Sequence, residues 1–115
     1  MNILITGANG MLGEECVKIL SKVHTIAACD LQDSLEYDGS GVYQKLDIVD
    51  QKIVKNIVDH IQPELIINCA AYTDVDGSEI NRQTAWSINA GGVRNLLSAM
   101  PGSGCKLIHI SSDYV

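Results

Sequence analysis

Residues 2–13 read NILITGANGMLG, and this stretch decides the fold. Asn2 to Thr6 is a short, nearly continuous apolar run, as expected of a strand buried on both faces. Gly7, Gly10 and Gly13 follow at GxxGxxG spacing, and helical periodicity begins at once behind them. Glycine serves three needs in such a place. The chain must turn sharply out of the strand, the backbone must come close to a diphosphate, and the helix must pack tightly on the sheet. Amides from Gly10 to Leu12 would then crown a helix N-terminus and face the phosphates, with Gly7 and Gly13 framing them. The simpler alternative is a strand-to-helix turn with no ligand. A strand before the loop and a helix after it favour the dinucleotide.

Working outward, Met11 to Lys22 reads as a helix with Leu12, Cys16, Ile19, Leu20 and Val23 on one side. HTIAACD is a second strand ending at Asp30, and the polar run from Leu31 to Gly41 reads as a surface loop. VYQKLD is a third, partly exposed strand, and Asp50 can cap a helix carrying Ile53, Val54, Ile57, Val58 and Ile61 ahead of Pro63. ELIINCA is a fourth strand. After the polar YTDVDGSEINRQ comes a helix with Ala85, Ile88, Val93, Leu96, Leu97 and Met100, and CKLIHI is a fifth strand.

Strands alternating with helices predict an α/β domain of Rossmann type: a doubly wound parallel sheet in the order 3-2-1-4-5, spanning residues 1–115. Ligands of such sheets sit at the carboxyl ends of the strands, where the winding reverses. The polar motifs of this chain fall at those ends. Asp30 lies about 20 residues beyond the loop, where a carboxylate can accept from an adenosine ribose diol. No arginine is near it to accommodate a 2′-phosphate, so the local sequence favours NADH over NADPH. Asp47 could accept from the adenine amino group while Ile48 packs on the ring. Ala70 and Ala71 continue as small side chains past which a flat ring could approach the backbone.

Composition sets limits on the rest. A net charge of −6 with eight scattered lysines and arginines argues against a nucleic-acid partner. No apolar run reaches the roughly 20 residues needed to span a bilayer, and nothing before the first strand resembles an export signal, so a cytoplasmic protein without a membrane partner is expected. Cys16, Cys29, Cys69 and Cys105 show no CxxC pairing and read as reduced structural thiols. His24, His60 and His109 lack metal-ligand spacing, so no metal is expected.

GxxGxxG with a strand-end Asp30, INCAAYTDVD at strand four, SINAGGVRNLL in the next helix and HISSDYV at strand five together resemble the extended short-chain dehydrogenase/reductases. Within that superfamily they are most similar to the dTDP-4-dehydrorhamnose reductases, over the N-terminal part of that family's usual length. The resemblance implies NAD(P)H as cofactor and a dTDP-sugar as substrate. It places Gly10, Met11 and Leu12 on the diphosphate, Asp30 on the ribose and Asp47 with Ile48 on the adenine. Ala71, Tyr72 and Thr73 would line the nicotinamide side. Thr73, Val75, Ser112, Asp113 and Tyr114 would border the sugar-nucleotide pocket, and Asn89 matches a structural asparagine.

In that superfamily a Ser or Thr, a Tyr and a Lys act together, the last two as YxxxK on one helix face. Ser112 matches the hydroxyl member, as the catalytic residue, where most of the reductases carry Thr. Tyr37, Tyr43 and Tyr72 are followed four residues later by Gly41, Asp47 and Asp76, and no lysine follows Tyr114. The reading is therefore a cofactor-binding part of a longer reductase, lacking the substrate lobe. The alternatives are a nucleotide-sugar epimerase or dehydratase of the same superfamily and a non-catalytic NAD(P)-binding regulatory subunit. The fifth strand would present an open edge, which makes a homodimer possible.

Overall fold

A computed structural model describes residues 1–37, 39, 41–70, 90–101 and 104–110. Its strands are β1 (Asn2–Thr6), β2 (Thr25–Asp30), β3 (Val42–Lys45), β4 (Leu65–Asn68) and β5 (Lys106–His109). Helix α1 (Met11–Leu20) joins β1 to β2, and α2 (Gln51–Ile61) joins β3 to β4. Residues 90–99 are helical and form α3 ahead of β5. Among the described residues all four strand pairings are parallel, and the sheet order is β3-β2-β1-β4-β5, as expected.

Both faces of the central strands are covered, which is why their sequences are apolar runs and not alternations. Leu4, Ala27, Cys29 and Ile66 pack with Val54, Ile57 and Val58 of α2 and with Leu96 and Ala99 of α3. On the opposite face Ile3, Ile5, Ile26, Ala28 and Ile67 pack with Val17 of α1. Asp50 caps α2 as its position suggests, its carboxylate accepting from the Ile53 amide. Helix α2 closes at Gln62, which takes a left-handed conformation just ahead of Pro63.

Helix α1 departs from the expected face. Its buried residues are Gly13 and Val17, with Cys16 and Leu20 partly covered, whereas Leu12, Ile19 and Val23 are 46%, 60% and 75% exposed. The cause is Gly13. A Cβ there would overlap the carbonyl oxygen of Gly7 and come within 2.9 Å of Ala8 Cα, so the helix can touch the turn only along that side. This contact sets the helix rotation, and a tally of large apolar side chains does not register it.

Candidate dinucleotide site

At the carboxyl edge of the sheet, α1 packs on one face and α3 on the other, and the glycine turn after β1 lies against the Cys69–Ala70 backbone after β4. Gly7 adopts φ +70, and a Cβ on it would stand 2.5 Å from the Ala70 nitrogen and 2.5 Å from the Cys69 carbonyl carbon. Protein packing alone thus demands glycine at 7 and at 13. Gly10 is different. It is exposed, has ordinary dihedrals (φ −73, ψ 167) as the N-cap of α1, and would place a Cβ no closer than 3.4 Å to any protein atom. Nothing in the protein forbids a side chain at 10.

The turn is secured from β2. Asn9 N–H donates to Asp30 Oδ2 at 2.8 Å, and Leu31 N–H donates to Asp30 Oδ1 at 2.8 Å. Both carboxylate oxygens are therefore oriented by backbone, and each keeps a second lone pair for a further donor. The Asn9 side chain donates to Gln32 Oε1 and to the Ser34 carbonyl at 3.0 and 3.1 Å, and accepts from Glu36 N–H at 2.8 Å. Tyr37 donates its phenolic proton to the Ala8 carbonyl at 2.8 Å. Burial, with the charges of Glu14 and Asp30 adding to it, pushes that phenol up to about 12, so it stays a neutral donor. The segment after Asp30, expected to be a plain surface loop, is laced to the glycine turn. Asn9 and Tyr37 are site residues that the spacing of motifs does not reveal, because their partners are mostly backbone atoms of a segment distant in sequence.

Lys45 is the register partner of Asp30, and its ammonium pairs with Asp33 at 3.1 Å. A cation thus stands on the strand beside Asp30, although no arginine does. Asp47 accepts from Val49 N–H at 3.1 Å, closing the turn into α2. Ile48 is only 7% exposed. Its side chain lies where a Cβ on Gly92 would stand, and its carbonyl accepts from Asn95 Nδ2 at 2.8 Å, so α3 holds this turn from below. Ala70 donates its N–H to Asn68 Oδ1 at 3.2 Å, directly beside the glycine turn. Burial pushes the Cys29 thiol up to about 12, with the Asp30 charge adding, and burial with Cys16 beside it does the same for Cys69. Neutral thiols at these places fit structural roles.

The structure therefore brings Gly7, Gly10, Met11, Leu12, Gly13, Asp30 and Ala70 to one edge, with Asp47 and Ile48 on the neighbouring turn. Ala71, Tyr72, Thr73, Val75, Ser112, Asp113 and Tyr114 lie outside the described residues. No described helix is long and apolar enough to cross a membrane.

A parallel 3-2-1-4-5 sheet whose first strand runs through a glycine turn into a helix defines the Rossmann type. More narrowly, the chain belongs to the family described as the RmlD substrate binding domain, whose model matches residues 1–115. It is 40% identical over 113 residues to the dTDP-4-dehydrorhamnose reductase of Mycobacterium tuberculosis, covering 98% of this chain and 33% of that protein. It is 36% identical over 115 residues to the reductase of the same name from Aggregatibacter actinomycetemcomitans, covering 98% of this chain and 35% of that protein. The chain thus spans about a third of the length of these relatives. Among solved structures it is similar to the L-threonine dehydrogenase of Clostridium difficile (TM-score 0.80, 26% identity, 94% of this chain and 35% of that one). The UDP-glucose 4-epimerase of Brucella ovis, solved in complex with NAD, is a second such neighbour (TM-score 0.71, 25% identity, 85% and 31%).

Proposed function

We propose that this chain is the dinucleotide-binding part, residues 1–115, of an NAD(P)H-dependent oxidoreductase. Its reaction would be reduction of the 4-keto group of dTDP-4-dehydro-L-rhamnose in dTDP-rhamnose biosynthesis, in the cytoplasm. The observation that carries the reading is Gly10: glycine is not required there by the protein, and its bare backbone lies at the exposed N-terminus of α1. A diphosphate resting on the amides of Met11 and Leu12 and passing close over Gly10, whose own N–H is held by the Gly7 carbonyl at 3.1 Å, would supply a reason for it. Asp30, held by two backbone donors with lone pairs to spare, suits a ribose diol. The names of the relatives support the substrate class, and the NAD-bound neighbour supports the cofactor.

In this reading Ala70, Ala71, Tyr72 and Thr73 lie along the nicotinamide side, and Thr73, Val75, Asp113 and Tyr114 border the sugar nucleotide. Ser112 donates a hydrogen bond to the ketone oxygen and stabilises the charge that develops on it. When bound, the reduced nicotinamide supplies the hydride. The proton must come from an acid that these 115 residues do not offer in YxxxK form, so the chain alone is expected to show no turnover. The exposed β5 also suits pairing with a second copy, which sedimentation at several concentrations would show as a concentration-dependent mass.

Titration of the 15N-labelled chain with NADH tests the core of this reading. The Gly10, Met11 and Leu12 amides should shift in step, followed by Asn9 and Leu31 beside Asp30. Saturating NADH and NADPH that both leave the three loop amides in place would overturn it.

A further inference from the structure

Thr6, Asn68 and His109 occupy matching positions on β1, β4 and β5, Asn68 being the register partner of both others. Thr6 and Asn68 are 1% and 0% exposed, polar side chains inside an otherwise apolar sheet. Thr6 Oγ1 donates to Asn68 Oδ1 at 2.5 Å, and Ala70 N–H donates to the same oxygen at 3.2 Å. Asn68 Nδ2 stands 3.1 Å from His109 Nδ1.

Chemistry fixes which way each group faces. The Ala70 N–H can only donate, so the amide atom beside it must be oxygen, and the nitrogen must face His109. That nitrogen can only donate in turn. His109 Nδ1 is then an acceptor, and the ring carries its proton on Nε2. The other tautomer, or an imidazolium, would set N–H against N–H and leave a fully buried amide without a partner. Three apolar residues could fill the same space without this constraint. A polar thread adds a defined geometry between strands, at the cost of having every member satisfied.

We infer that His109 is a positioning residue: the Thr6–Asn68 pair holds its ring as the neutral Nε2–H tautomer, and this contact fixes the carboxyl end of β5 against the Ala70 turn. Ser112 follows three residues later in the chain, and Ile110 N–H is tied to the Asn68 carbonyl at 3.1 Å. The value of this to catalysis rests on the role proposed above for Ser112; the tautomer and the strand anchoring do not.

Long-range 1H–15N spectra of the 115-residue chain test it, with His109→Asn identifying the His109 signals among the three histidines. A bare Nδ1 and a protonated Nε2 are expected at neutral to alkaline pH. An Nδ1–H ring, or an averaged mixture of both tautomers, would overturn the inference. A second measurement follows the Ile110 amide by hydrogen exchange. His109→Leu, which removes the acceptor, should speed exchange roughly fivefold to tenfold, while His109→Asn, whose side-chain oxygen can stand in for Nδ1, should stay within about twofold of the unaltered chain. Equal exchange in the two variants would refute the anchoring. If NADH left the glycine-loop amides unmoved while His109 showed the expected tautomer, the functional reading would fail and this one would stand. Loop shifts with a mixed tautomer would mean the reverse.

Discussion

Two asparagines organise the two halves of the sheet's carboxyl edge, and they do so in opposite ways. Asn9 lies near the surface and gathers loops: its hydrogen bonds run to Asp30 at the end of β2 and to Gln32, Ser34 and Glu36 in the segment that follows it. Asn68 is sealed in the sheet and ties strands: its partners are Thr6 and His109 on the flanking strands and the backbone of Ala70. The strands beneath them differ likewise. Ile26, Ala27, Ala28 and Cys29 of β2 are at most 5% exposed, whereas Ile108 of β5 is 47% exposed. The side assigned to adenosine is thus a loop lattice laid over a finished core. The side assigned to nicotinamide is held by a polar thread that runs from buried Thr6 and Asn68 out to the exposed His109 at the margin of that core. One surface can adjust to its ligand at little cost, and the other cannot adjust without disturbing the sheet.

The sharpest way to break this arrangement is at the point where the halves meet. Gly7 joins the turn held by Asn9 to the strand end held by Asn68. Gly7→Ala would combine a left-handed backbone with a Cβ placed 2.5 Å from Ala70 nitrogen. Strain of about 1–2 kcal/mol from the backbone and about 1–3 kcal/mol from the clash would remove much of a small domain's stability. Denaturant unfolding should show a loss of about 3 kcal/mol or an unfolded chain. A loss below about 1 kcal/mol would mean that the two halves are not in contact through Gly7.

Next in size is the contrast between the asparagines themselves. Asn68→Ala strands the Thr6 hydroxyl and the Ala70 N–H without a partner inside the protein, at about 1–3 kcal/mol for each unsatisfied group. Asn9→Ala removes side-chain bonds that water can replace, and its cost should stay near 1 kcal/mol. Thermal unfolding of the two variants side by side measures the difference. Equal losses, or a larger one for Asn9, would contradict a stiff half beside an adjustable one.

The same division decides what the amino-acid sequence discloses. Sheet order was legible because strands buried on both faces are uninterrupted apolar runs and right-handed connections leave few arrangements. The α2 cap was legible because Asp50 acts on an amide three residues away. Local chemistry of that kind writes itself into adjacent letters. The rotation of α1 was not legible, since Gly13 fixes it by lacking a side chain while Leu12, Ile19 and Val23 suggest another face. Nor was the lacing of residues 31–37 to the turn, because Asn9 and Tyr37 meet mostly backbone atoms that any residue would offer. Ile48 illustrates a third case. Its place after Asp47 suggests an adenine platform, but nearly all of its side chain is enclosed with α3, and only tertiary packing could show that.

The smallest effect on stability should accompany the largest effect on binding, at Gly10. An alanine there keeps φ −73 and ψ 167 without strain, and its Cβ meets no protein atom nearer than 3.4 Å. Alanine is a poorer N-cap than glycine, so Gly10→Ala should cost less than about 1 kcal/mol. If Gly10 is bare because a diphosphate lies on it, the added methyl occupies that ligand's space. The NADH-induced shifts at Met11 and Leu12 should then vanish, or need far more nucleotide, in a protein whose unfolding curve is almost unchanged. Gly7→Ala cannot make this distinction, since it alters fold and ligand surface together. A Gly10→Ala chain that binds NADH like the unaltered one would show that no diphosphate lies against Gly10, and the reading built on that bare backbone would fall.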